Sequence, residues 1–189
     1  MGITLPPPPN DAMAILTEGV TDLQSGDPTR AIGGSAPRAA PHPFPLYRLK
    51  LASIRRGSDP LRGAMQIGWR YLVERDDTPA VADLHEKSKT GALDFGQLAT
   101  GPLADQLVAG ANRAEALVGA QGGAEPEYEA RILEVPALHV SALWLENENP
   151  LFLVLLPEGS ADPISAADFR AMLVAAAGDL RQATRRRSE

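Results

Sequence analysis

The sequence predicts an α+β domain: an antiparallel sheet of about five strands with helices packed on one face, preceded by a proline-rich N-terminal arm. Three observations carry that prediction. Several short segments between Tyr47 and Trp144 alternate apolar and polar residues, the period of a half-buried strand. Other segments repeat their apolar residues at three and four positions, the period of a helix. The first 45 residues stand apart, with Pro6–Pro9 in one run and Pro28, Pro37, Pro41, Pro43 and Pro45 following.

Four consecutive prolines have fixed φ angles and no N–H to donate, so residues 2–10 read as a polyproline II stretch. Asn10 occupies an N-cap position and Asp11 the first turn, where a negative charge is favourable. Met13, Leu16, Val20 and Leu23 then predict a helix over residues 11–24. Residues 26–45 contain Gly33–Gly34 and few apolar side chains, as a linker or an extended wrapping segment would.

The folded domain is expected from Leu46 onward, which divides the chain into an arm, residues 1–45, and one domain, residues 46–189. Tyr47, Leu49 and Leu51 alternate with Arg48, Lys50 and Ala52 as a strand. After a turn at Arg56–Pro60, the alternation from Leu61 to Val73 predicts a long strand, antiparallel to the first. Thr78 followed by Pro79 resembles a helix start and predicts a short helix ending before Gly91, with Val81 and Leu84 inward.

Thr100 and Pro102 open a longer helix with a stripe of Leu103, Leu107, Ala111 and Ala114, stopped at Gln121–Gly123. Tyr128, Ala130 and Ile132 begin another strand, Pro136 demands a break, bulge or edge, and Leu138 to Trp144 resume the alternation. The all-apolar Leu151–Leu156 fits a strand covered on both faces. Ser165 and Asp168 form a capping box, with Ile164 and Phe169 as its hydrophobic staple, ahead of a final helix. Its predicted buried stripe is Phe169, Met172, Leu173, Ala176 and Leu180.

Composition narrows the function. A hydrophobic content of 44% is too high for a wholly disordered chain. No apolar run approaches the roughly 18 residues of a membrane span, so no membrane partner is expected. The first residues show no basic and no apolar signal region, and a cytoplasmic location is expected. Zero cysteines exclude a disulfide framework, a thiolate nucleophile and a cysteine-ligated metal. The net charge of -6 disfavours a nucleic-acid binder. It is unevenly spread, because residues 47–75 carry seven bases against Asp59 and Glu74, while residues 76–168 hold sixteen acids and four bases.

Chemical signatures are missing from the sequence. His85–Glu86 starts like a zinc-protease motif, but Lys89 stands where the second histidine would be. His42, His85 and His139 share no ligand spacing. There is no phosphate-binding loop, no dinucleotide fingerprint and no nucleophile elbow, and Ser141 falls inside a predicted strand. Glu125, Glu127 and Glu129 fit a solvated strand face. No catalytic, cofactor-binding or metal-ligating residue is therefore assigned, and no cofactor is expected.

The expected function is that of a non-enzymatic interaction or assembly protein, one subunit of a larger complex. It would dock other protein subunits, or a second copy, through its arm. The candidate contact residues are Met13, Leu16, Val20 and Leu23 on the first helix and the basic face of Arg48, Lys50, Arg62 and Arg70. Tyr47, Trp69 and Tyr71 lie on the face opposite those cations, which argues against a sheet that stacks nucleic-acid bases. Alternatives are an intracellular small-ligand-binding or regulatory domain, with a pocket between sheet and helices, and an enzyme of unfamiliar type using carboxylates and arginines. Removal of residues 1–45 is expected to leave a folded domain that no longer assembles.

Overall fold

A computed structural model of the chain describes residues 2–25, 38–39, 42–55, 57–75, 77–87, 90–120, 127–157 and 162–186. Its strands are β1 (Ile3–Thr4), β2 (Arg38–Ala39), β3 (Phe44–Arg48), β4 (Met65–Arg75), β5 (Thr78–Glu86), β6 (Leu93–Thr100), β7 (Tyr128–Val135), β8 (Val140–Glu146), β9 (Leu151–Leu156) and β10 (Ile164–Ser165). Its helices are α1 (Ala12–Ser25), α2 (Pro102–Ala120) and α3 (Ala166–Arg186). All the strands join one sheet in the order β10-β9-β8-β7-β3-β4-β5-β6, with β1 added to β7 and β2 to β4.

This architecture corrects the expected five-stranded antiparallel sheet with helices on one face. The sheet is mixed, because β3 and β1 both run parallel to β7. A parallel pair needs a long crossover, and the stretch between β3 and β7 provides it with α2 as its last leg. The sheet is also larger. Where Thr78–Pro79 suggested a short helix, β5 and β6 form a hairpin. β5 pairs with β4 over eight residues, from Gly68↔His85 to Arg75↔Thr78. Ala80, Ala82 and Leu84 face one side with Trp69, Tyr71 and Val73, while Val81 faces the other. A ladder of that length outweighs a local capping signal. Asp77 sits in the β4–β5 turn at φ 58°, a conformation that aspartate tolerates.

Helices cover both faces of the sheet. Ile132, Leu143 and Val81 belong to the core under α2, with Ala104, Leu107 and Ala114. Their chain neighbours point the other way. Leu133, Ala142 and Trp144 pack with Phe169, Leu173 and Ala177 of α3. Ala80 and Ala82 pack with Ala12, Leu16 and Val20 of α1. α1 and α3 therefore sit on the same face at opposite ends, and α2 on the reverse.

The described pieces of the expected arm are built into this fold: β2 pairs with β4, and Phe44 and Pro45 already belong to β3. β1 pairs with β7, and Ile3 and Leu5 pack on the α2 core. α1 lies on β5 and β6, where a side chain at Gly19 would collide with the ring of Phe95. That absent side chain lets the helix approach the sheet closely. The Gly33–Gly34 linker lies outside the described residues.

Two expected strands are shorter than their alternation: β3 ends at Arg48 and β4 begins at Met65, and the flanking residues form 3-10 turns at Leu51–Ser53 and Pro60–Gly63 that bury Leu49 and Leu61. Other elements follow their sequence signals. Pro136 breaks the chain between β7 and β8 into a 3-10 turn, Pro136–Leu138, closed by His139 at φ 53°. Ser165 Oγ accepts from the Asp168 N–H at 3.2 Å and donates to the Asp168 carboxylate at 2.7 Å. Phe169 stacks on Phe152 with 4.1 Å between centroids. Near the end of α3, Arg181 donates to the carbonyls of Leu51 and Ile54 at 3.1 and 2.8 Å. The predicted stripe shifts slightly, with Ala177 buried and Leu180 36% exposed.

Leu16→Ala should destabilise the protein by about 2–5 kcal/mol, because it opens a cavity between α1 and the sheet. Met13→Ala and Leu23→Ala, at 43% and 50% exposure, should each cost under about 1 kcal/mol. Urea unfolding of the three variants checks the ordering, and equal losses would contradict the buried placement of Leu16.

Candidate functional site

The four cations expected to share one exposed face are separated by the fold. Lys50 is exposed and precedes a 3-10 turn, Leu51–Ser53. Arg62 is exposed in another, Pro60–Gly63, 3.9 Å from Asp59. Arg48 is exposed, with Nη2 3.5 Å from Glu134. Arg70 is completely buried. Alternation placed it among solvated residues, yet it lies inside a sheet covered on both faces.

Arg70 organises a polar network across the middle of the sheet. Its register partner on β5 is Asp83, and the register partner of Asp83 on β6 is Gln97. Arg70 Nε and Nη2 donate to the two oxygens of Asp83, each at 2.7 Å. Nη2 also donates to Glu134 Oε1 at 2.6 Å, so the guanidinium spans β3 to reach β7. Gln97 Nε2 donates to Asp83 Oδ2 at 2.7 Å. The register between β3 and β4 shifts at Leu46/Tyr47, beside Gly68, where any side chain would collide with the Leu84 carbonyl.

Two arginines face two carboxylates, and the network is neutral as a whole. Burial opposes the charge on Arg70, but the hydrogen bonds and charges of Asp83, then Glu134, outweigh it and hold its pKa above the ordinary arginine value. The carboxylate oxygens of Asp83 and Glu134 are engaged by Arg70, Gln97 and Arg48. They act as fixed counter-charges, and the network clamps β7, β4, β5 and β6 in register. Among the described residues, Arg70 Nη1 and the buried Ser141 Oγ, on the strand beside Glu134, have no hydrogen-bond partner.

A second cluster lies on the face shared by α1 and α3, between the strands those helices cover. Arg131 lies against a pair of touching aromatic rings, its guanidinium carbon 5.2 Å from the Tyr47 centroid and 4.9 Å from the Trp144 centroid, with the two centroids 5.6 Å apart. Its Nε lies 2.7 Å from Glu129 Oε1. Sequence reasoning missed this cluster. Glu129 and Arg131 stand two apart on one strand, an opposite-charge pair on a single face, but only the register Arg131↔Trp144 adds the ring.

A third feature is an open groove of about 540 Å³ along α3, walled by Arg55, Ser58, Arg170 and Gln182 over a floor that includes Ala175 and Gly178. Arg170 Nε is 2.9 Å from Asp59, so one wall is an ion pair.

A fourth feature is the sheet edge at β6, whose only strand neighbour among the described residues is β5. The helix stripe expected to meet a partner divides here. Leu16 and Val20 are buried against the chain's own sheet, while Met13 and Leu23 remain exposed. Among the described residues, no group of three or more His, Asp or Glu side chains could hold a metal ion. No helix there is long and apolar enough to cross a membrane.

Arg70→Met should cost about 3–5 kcal/mol, because Asp83 is left buried without its counter-charge. Adding Asp83→Leu should recover part of that loss, and chemical denaturation of the single and double variants measures the coupling. Additive losses would mean that the pair does not act as a unit. Tyr71 gives a pH test. Burial raises its pKa, so above about pH 10 the unfolded chain loses the phenol proton before the folded chain does, and stability falls. Tyr71→Phe removes a buried hydroxyl that has no hydrogen-bond partner among the described residues. It should change stability near pH 7 by no more than about 1 kcal/mol and flatten the alkaline decline seen in denaturation at increasing pH. An unchanged alkaline slope would refute this.

Compared with known proteins, the chain matches no family model, no curated protein and no solved structure.

Proposed function

We propose that the chain is a non-enzymatic assembly subunit that binds a protein partner by adding a strand to the β6 edge of its sheet. The observation that carries this reading is the composition and place of β6. It runs for eight residues at the end of the sheet and contains no lysine, arginine or proline. Natural sheets blunt exposed edges with charges, prolines or very short strands, since an open edge offers its backbone donors and acceptors to any extended chain. At the opposite end of the sheet the last strand, β10, has two residues and pairs with Leu151 and Phe152 of β9. β6 carries a single charge, Asp94, which pairs with Lys87 at 3.1 Å.

α1 supports the same surface. It packs on β5 and β6, and its Met13 and Leu23 are exposed. The arm thus contributes to docking as a helix fixed beside the edge. Leu16, Val20 and Arg70 are engaged internally and are not contact residues in this reading. Strand addition supplies affinity through main-chain hydrogen bonds and leaves selectivity to the flanking side chains.

The test compares the tagged full chain with Asp94→Lys/Thr100→Lys, two exposed positions that place cations on the edge, after purification at native abundance from its own host. A protein identified by mass spectrometry with the wild type should fall at least about tenfold with the variant, since like charges or a blocked strand cost more than about 1.4 kcal/mol. The unfolding midpoint of the variant should stay near that of the wild type. A partner retained equally by both proteins would sink the proposal.

A further inference from the structure

Basic residues from two distant parts of an acidic chain meet around the groove along α3. We infer that this groove seats an acidic amphipathic helix of a partner protein, a docking surface separate from the β6 edge. The chain carries 24 acids against 18 bases, yet the walls of the groove are cationic. Arg181 donates to the carbonyls of Leu51 and Ile54, the latter 127 positions away, and so ties the segment that carries Arg55 to α3. Arg55 is exposed, and its Nε donates to the Ala52 carbonyl at 3.0 Å, which steadies the guanidinium on the rim. On the same side one carboxylate serves two guanidinium groups, because Asp59 lies 2.9 Å from Arg170 and 3.9 Å from Arg62. Past Gln182, Arg185 and Arg186 follow at the helical spacings of three and four, exposed on the groove's side of α3. Among the described residues, Asp179 is the one acid that lines the groove. The surplus of positive charge calls for an anionic occupant.

The shape and the floor of the groove narrow the kind of anion. It follows α3 from Arg170 to Gln182, roughly three helical turns, and is open along its length. An open trough suits a segment laid lengthwise, whereas a small ligand is enclosed on most sides. Ala171, Val174 and Ala175 give the floor an apolar surface without bulk, so a second helix axis can come close. Among the described lining residues there is no aromatic ring on which a nucleic-acid base could stack. Nor is there an apolar side chain larger than Val174 to enter a lipid surface. A helix with small apolar residues on one stripe and carboxylates beside it satisfies the floor and the rim together. α3 packs over Trp144 of β8 and Phe152 of β9, toward the end of the sheet away from β6, so the two surfaces do not compete.

The test titrates the full chain, by fluorescence anisotropy, into a labelled helical peptide whose glutamates flank a stripe of alanine and leucine. The same peptide with lysine in place of glutamate should bind at least about tenfold more weakly, and added salt should weaken the acidic one. Arg55→Glu, a charge reversal at an exposed position, should lower affinity for the acidic peptide at least about tenfold. Ala175→Trp, also at an exposed position, fills the floor and should abolish binding. Both variants should unfold at the wild-type midpoint. The edge variant Asp94→Lys/Thr100→Lys should bind the peptide as the wild type does, and a loss there would overturn the separation of the two surfaces. Failure of the wild type to bind the acidic peptide overturns the inference, as does binding that survives both Arg55→Glu and Ala175→Trp. Single-stranded RNA and vesicles containing phosphatidylglycerol are titrated alongside. Tighter binding of either than of the peptide, lost in Arg55→Glu, overturns the choice of a protein helix.

Discussion

A guanidinium inside a sheet that is covered on both faces must be matched by charge, and this requirement fixes the centre of the molecule. Arg70 is fully buried on β4; its two bonds to Asp83 tie the β4–β5 hairpin together, and its bond to Glu134 reaches β7, far away in sequence. Desolvation would make the lone cation very costly, whereas paired carboxylates at hydrogen-bond distance offset that cost. The same contacts oppose slippage. Moving β5 or β7 by one residue would turn Asp83 or Glu134 to the opposite face and strand the charge. The register of the mixed sheet and the ion network are thus one constraint, and the layers of helix on either side are arranged around it.

From that centre the two faces acquire different roles. α2 seals one side over Leu46, Ile132 and Leu143. The other side is shared, with α3 closing over Trp144 and Phe152 while α1 closes over Trp69 and Tyr71. On the side of α3, Arg131 lies against the touching rings of Tyr47 and Trp144, and the Trp144 indole N–H is buried. The proline run then has a clear mechanical sense. It connects β1, on the central strand β7, to α1, which rests near the edge of the sheet. A stiff segment limits the conformations open to that connection in the unfolded chain and lowers the entropy lost on folding.

Legibility differed by element. α1, α2, α3, the break at Pro136 and the strands β7, β8 and β9 were readable because their periodicity and caps lie within a few neighbouring residues. β5 was misread because Thr78–Pro79 imitates a helix start, and its true partner, β4, is recognised only when the pair is laid side by side. The parallel contact of β3 with β7 joins Leu46 to Ile132, a separation over which local patterns carry no information. Of the candidate contact residues, Met13 and Leu23 are exposed and Leu16 and Val20 are not. Periodicity finds an apolar stripe, but it cannot say whether a neighbouring molecule or the chain's own sheet will cover it.

The amino-acid order by itself determined the kinds of element, their approximate limits, the lack of cysteine chemistry and the uneven spread of charge, since each depends on short-range sterics, capping or simple counting. Only the tertiary structure decided that the sheet is mixed, that helices lie on both its faces, that Arg70 is interior and that β6 forms an edge. Those properties depend on which distant segments lie side by side, and that choice is made by burying every apolar face and matching every buried charge at once.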